Sequence, residues 1–239
     1  MREMLTFQGF DNVETAEAVA QTLRQHGIEV TVEQNRALLD SNFIGQDFNN
    51  DVLVKLWPVD FERAQKILID STKIDMNEVD RNYVLFQMTD KELEDVLAAP
   101  EEWGAWNYKL ATMILAERGV VVTEQQTTAL QDTHISDLSI QKPVTTGWLL
   151  GGYGFSLMTI VASFFGSAYS IFALFSIQAL PGLLGIILGL VLIRSRKTLP
   201  DGRQVASYDA KARRHGWGML LFCILAIVFS AVMMNIRYA

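Results

Sequence analysis

Only one of the 239 residues is a cysteine, Cys223, and it lies inside an apolar run. Neither a disulfide framework nor a thiolate metal cluster can be built from one such residue in a chain, and the scarcity fits a reducing compartment. Histidine is almost as sparse. His26, His134 and His215 are far apart, none has a ligating partner at helical spacing, and neither HExxH nor CxxC occurs, so each reads as a solvated histidine. Gly151-Gly152-Tyr153-Gly154 lacks the lysine and hydroxyl residue of a phosphate loop, and Gly166-Ser167-Ala168 is not a nucleophile elbow. The adjacent Glu101 and Glu102 read as a helix start rather than an acid/base pair. The expectation is therefore a chain that is not an enzyme, with no catalytic residue, metal ligand or cofactor.

Positive charge is also missing where nucleic acid would need it. Residues 1–142 hold 12 Lys/Arg against 25 Asp/Glu, a balance of −13, whereas residues 143–239 hold 8 against 2, a balance of +6. An acidic first part excludes an electrostatic nucleic-acid footprint. The N-terminus, MREMLTFQGFDNVETAE, has no apolar stretch of the kind a cleaved signal peptide carries.

What is present begins with a short mixed strand over 4–10. A capping pair, Asp11 and Glu14, then opens a helix with Val13, Ala16, Ala20 and Leu23 on its inner face, and Gly27 stops it. Ile28, Val30 and Val32 alternate with polar residues, and Val52, Val54 and Leu56 repeat that period after a gap. After Pro58, Asp60 caps a second helix facing inward through Phe61, Ala64, Ile67 and Leu68. Strand, helix, strand, strand, helix is most of a ferredoxin-like α+β unit, expected over 1–72. The long segment between the last two strands carries Phe43, Ile44 and Phe48, which either cover the open sheet face or form a partner- or ligand-binding loop.

The pattern FQGFDNVETAEAVAQTLRQHGIEVTV, followed by DVLVKLWPVDFERAQKILI, resembles a small bacterial family of signal-transducing proteins whose domain is related in shape to the nitrogen-regulatory PII proteins. The resemblance covers about residues 4–70. It implies a ferredoxin-like domain with a signalling role and supplies no catalytic residues.

Beyond a polar stretch, Thr89 with Glu92 forms a capping box, and Pro100 opens a second helix with Glu101 and Glu102 in its first turn. Trp106, Leu110, Met113 and Ile114 give that helix a stripe, Gly119 ends it, and Trp103, Trp106 and Tyr108 read as core or as a binding surface. Thr123 starts one more polar helix, through Leu138, and a helical hairpin and juxtamembrane segment are thus expected over 73–142.

The remainder, 143–239, contains three apolar runs without formal charge, Trp148–Phe165, Tyr169–Ile193 and Gly216–Asn235. Each has about the length needed to cross a bilayer core, so the expectation is an all-α transmembrane domain of three helices. The loop 194–215 between the second and third runs carries Arg194, Arg196, Lys197, Arg203, Lys211, Arg213 and Arg214. By the positive-inside rule it is cytoplasmic, which places the N-terminal domain in the cytoplasm and the C-terminus outside a bacterial inner membrane, in a multi-pass arrangement. Its basic residues serve topology and anionic lipid contact, or dock an acidic surface. The run TLPDGRQVASYDAKARRHG in this loop also resembles a recurrent loop of small bacterial membrane proteins. The pairs Gly147/Gly151 and Gly185/Gly189 have GxxxG spacing for close helix packing, within the chain or between copies. No ionisable group lies within a run, which disfavours a transporter.

Together these features lead to a membrane-anchored cytoplasmic binding or regulatory protein, an adaptor or signal transducer. Its expected partners are membrane lipids and a protein partner or second copy, with a small ligand possible. The alternative is an accessory subunit of a larger inner-membrane transport or secretion complex.

Overall fold

A computed structural model describes residues 3–34, 52–165 and 171–238. The chain divides into two compact units, one of Met1–Ser139 with Thr198–Arg203, the other of Ile140–Lys197 with Gln204–Ala239.

The first unit starts with β1 (Leu5–Phe10), α1 (Val13–Gln25), β2 (Val30–Gln34), β3 (Val52–Leu56) and α2 (Phe61–Ser71). Central β3 pairs antiparallel with both neighbours, giving the order β1-β3-β2, with a register shift in β1 between Thr6 and Gln8. Alternation explains the packing: Val52, Val54 and Leu56 all point into a core that also takes Ala16 and Leu23 of α1 and Phe61, Ala64 and Leu68 of α2. Each fully buried Leu or Val there contributes roughly 1.5–3 kcal/mol relative to exposure. Val13, expected on the inner face of α1, is instead exposed as the first residue of the helix, and the cap is Asn12 rather than Asp11, with Asn12 Oδ1 accepting from Thr15 N at 2.8 Å.

Two expectations of fold class are corrected. The ferredoxin-like sheet is incomplete: among the described residues the sheet has three strands, and no fourth follows α2. The reason lies in 71–81, which lacks apolar alternation; its Ile74, Met76 and Val79 pack into a second core instead. That core joins α3 (Asp90–Ala98) and α4 (Pro100–Glu117) through Leu93, Val96, Leu97, Leu110 and Ile114. The helical hairpin also gains a third member, α5 (Glu124–Ser139), which packs on α3. The capping box that opens α3 is formed, with Thr89 N donating to Glu92 Oε2 at 2.7 Å and Glu92 N to Thr89 Oγ1 at 3.3 Å. Gly104 interrupts α4 at φ 79°, so Glu101 and Glu102 sit on a first turn set apart from the helix that follows. Arg118 ties the end of α4 back to α3 by donating to Met88 O, Phe86 O and Asp90 Oδ1.

The second unit holds α6 (Thr146–Phe165), α7 (Ile171–Arg194) and α8 (Ala210–Tyr238), which pack on one another; the short strands β4 (Arg196–Thr198) and β5 (Gln204–Ala206) pair in a hairpin between α7 and α8. The expected three-span all-α membrane domain is the second correction. Among the described residues one helix, Ala210–Met233, is long and apolar enough to cross a membrane. α6 and α7 are 20 and 24 residues long, and Pro181 lies inside α7. Among the described residues 66% is helical and the sheets are confined to three and two strands.

Candidate functional site

The first unit carries a shallow groove of about 270 Å³ on the outer side of the sheet domain, where α1 and α2 lie side by side. Its floor is apolar, from Phe10 of β1, Val19 of α1 and Leu68 of α2. Its rim is polar and uncharged, from Gln8, Thr15, Thr22, Gln65, Ser71 and Thr72. The helical period produces this rim, since Thr15 and Thr22 stand two turns apart on α1 beside its buried stripe of Ala16, Ala20 and Leu23. Some rim hydroxyls are already engaged: Thr22 Oγ1 donates to Ala18 O, and Thr72 Oγ1 and Ser71 Oγ both donate to Leu68 O. Gln8 and Gln65 supply amides that can both donate and accept. The arrangement suits a neutral polar ligand or an extended peptide and contains no group that could act as a nucleophile–base pair. Phe43, Ile44 and Phe48, the expected binding loop, lie outside the described residues.

The seven basic residues of 194–215 do not form one loop. Arg194 ends α7, Arg196 and Lys197 lie on β4, and Lys211, Arg213 and Arg214 lie in the opening turns of α8. Lys197 Nζ donates to Ile140 O at 2.7 Å. Arg203 belongs to the first unit and pairs with Asp201. The turn Leu199–Gly202 closes with Gly202 N donating to Leu199 O at 2.9 Å, and Gly202 adopts φ 81° against Pro58, whose carbonyl oxygen would lie 2.1 Å from an added Cβ. Asp209 caps α8, its Oδ1 accepting from Ala212 N at 2.6 Å. The Nε of Arg213 is buried without a hydrogen-bond partner among the described residues.

Glycine packing in the second unit is within the chain. A Cβ on Gly185 would meet Cys223 Sγ at 2.4 Å and Gly152 O at 3.1 Å, and one on Gly189 would meet Gly216 O at 2.9 Å. Gly151 faces Leu188 at 3.4 Å, whereas Gly147 faces nothing within 4 Å. The sequence reading missed Gly152, Gly216 and Gly218, although Gly152 and Ser156 stand four apart on the same face of α6. At the centre of this seam Ser156 Oγ lies 2.8 Å from Cys223 Sγ and donates to Gly152 O. With no base beside it, this pair is helix packing rather than a nucleophile.

None of the three histidines is simply solvated. His26 Nδ1 lies 2.8 Å from Thr22 O, and its own carbonyl accepts from Arg63. His215 stacks edge-on to Tyr153. His134 of α5 reaches Glu101 of α4, Nε2 to Oε1 at 2.7 Å, with both side chains largely covered. Two groups in this unit have displaced ionisation. Hydrogen bonds from Thr89 hold the Glu92 carboxyl below its usual range, and burial raises the Tyr108 phenol above its usual value, with a hydrogen bond to Thr127 opposing that rise.

Comparison of the chain with protein-family models, with curated proteins and with solved structures finds no match.

Proposed function

We propose that this chain is a membrane-attached binding and regulatory protein without catalytic activity. Its sheet domain recognises a protein segment or small neutral ligand, and Ala210–Met233 holds that event at a bacterial inner membrane. The observation that carries the reading is the pairing, in one chain, of an acidic, well-packed domain bearing an uncharged groove with an apolar helix of spanning length. Lys211, Arg213 and Arg214 flank the N-terminal end of that helix against Arg237 at the other, and by the positive-inside rule this excess favours a cytoplasmic first unit and an external C-terminus. The likeness of residues 4–70 to signal-transducing proteins related to PII supports a regulatory role.

The accessory-subunit reading has its own support: Leu221, Ile224, Leu225, Val228 and Val232 of α8 are exposed, an apolar face that a neighbouring membrane subunit could cover. One experiment separates the two. The full chain is purified in mild detergent and co-purifying proteins are identified by mass spectrometry, alongside a Thr15→Arg/Gln65→Arg variant that blocks the groove. Loss of the partners in the variant supports recognition by the sheet domain; an unchanged set assigns recognition to the helices. Release of the wild-type chain from membranes by a carbonate wash would refute membrane attachment itself.

A further inference from the structure

We propose that Glu101, Glu102 and His134 form a binding site for a first-row divalent cation of zinc-like preference. The proposal does not depend on the function proposed above. One potential ligand atom from each residue lies within 4.8 Å of the other two, although His134 is separated from Glu101 by 33 residues of chain. Two carboxylates alone would be an ordinary acidic surface; the imidazole changes the chemistry, because a neutral ring nitrogen selects zinc and its first-row neighbours over calcium and magnesium.

The three residues come from two elements, α4 and α5, and each is fixed close to its ligands. α5 is tied to α3 one turn before His134, where Gln131 Nε2 donates to Leu97 O at 3.1 Å. The carboxylates stand on the single turn between buried Pro100 and the break at Gly104, with Glu102 N bonded to Ala99 O. The Glu101 and His134 side chains are 24% and 21% exposed, which reduces the competition of water for a cation, while Glu102 is exposed and leaves a route of entry. Zinc–ligand bonds of about 2.0–2.2 Å in a tetrahedral arrangement put ligand atoms about 3.4 Å apart. The 2.7 Å between His134 Nε2 and Glu101 Oε1 and the mutual spread of up to 4.8 Å bracket that separation, so side-chain adjustment brings the three atoms around one cation. Three protein ligands leave the fourth position to water or to a ligand atom from a partner, the pattern of an open rather than a closed structural site.

The alternative is that His134 and Glu101 are only a hydrogen-bonded pair that fastens α5 to α4. The two readings separate by titration of the full chain in detergent, stripped with chelator. Isothermal titration with Zn²⁺ should give one site per chain, and Co²⁺ should develop visible absorption bands of a site with nitrogen and oxygen ligands. His134→Gln and Glu102→Gln should each weaken binding by at least about tenfold, the size of effect that loss of even an outer partner of a ligand produces. Glu102→Gln keeps the test valid if His134→Gln perturbs the fold, since Glu102 is exposed, and His26→Gln serves as the control that should bind normally. Absence of stoichiometric binding, or binding unaltered in both His134→Gln and Glu102→Gln, overturns the proposal.

Discussion

The two units of this chain place their polar and apolar residues in opposite ways. In the first, the core residues are leucine, valine, isoleucine, alanine and phenylalanine, and large exposed apolar side chains are few and scattered, among them Val13, Val59, Val84, Trp106 and Val121. In the second, the fully covered side chains include Ser156 and Thr159, with Ser230 close behind, while leucine, isoleucine and phenylalanine side chains crowd the outside of α6, α7 and α8. Water drives the first arrangement, since burying apolar area is what stabilises it. The second relies on close helix approach, with glycine at the crossing points and hydroxyls bonded back to their own helix, as Ser156 is to Gly152 O and Thr159 to Phe155 O. The same helical periodicity thus serves two modes of packing, and an apolar run alone does not say which.

The largest expected break falls on the first unit. Leu110→Ala removes a fully buried side chain from the α3–α4 core and should cost about 2–5 kcal/mol in denaturant unfolding. The matched change Leu221→Ala, on the outward face of α8, should leave unfolding almost unchanged, because that side chain is 61% exposed. Leu221→Arg should act on the membrane instead. A charge near the middle of a spanning helix costs about 2.5–3.5 kcal/mol, so carbonate fractionation should move the variant towards the soluble fraction. If Leu221→Arg stays with the membrane as the wild type does, α8 is not the attachment.

Packing by small residues is tested next. Gly185→Leu forces a side chain into Cys223 Sγ and the Gly152 carbonyl, and should lower stability in detergent by about 1–3 kcal/mol, read as a drop in Tm. Gly154→Leu on α6, where an added Cβ meets nothing within 4 Å, should be neutral in the same assay. Equal effects at the two positions would mean that the close approach at Gly185 is not what holds these helices together.

How much of this was legible in the sequence follows from the range over which each signal acts. The strands at Leu5, Val30 and Val52, the Thr89–Glu92 box and the stop at Gly119 are set by residues within a few positions of one another, and all are present. The polar helix expected from Thr123 to Leu138 is present as α5, whereas the fate of 71–81 was not legible, because Ile74, Met76 and Val79 are claimed by a core whose other half lies further along the chain. The pairing of His134 with Glu101 had no local signal at all, since the turn that carries Glu101 is positioned by the Gly104 break and His134 by the docking of α5 on α3.

The smallest effect sharpens the contrast at a single helix end. Thr89→Ala removes the hydroxyl that accepts from Glu92 N and should destabilise the first unit by about 1 kcal/mol at neutral pH. It should also change the dependence on acid. Glu92 titrates below its usual value because Thr89 N–H and Oγ–H donate to its carboxylate, so the folded state favours the ionised form. A carboxyl with a lowered folded-state value contributes stability that is present above the unfolded value, near pH 4.5, and is lost as pH falls through the lower folded one. Thermal melts between pH 6 and pH 3 should therefore show a decline in the wild type that is shallower in Thr89→Ala, where one of the two donors is gone. Identical slopes would mean that the box caps α3 by geometry alone. A steeper slope in the variant would mean that a basic residue, rather than Thr89, is what holds the carboxylate ionised.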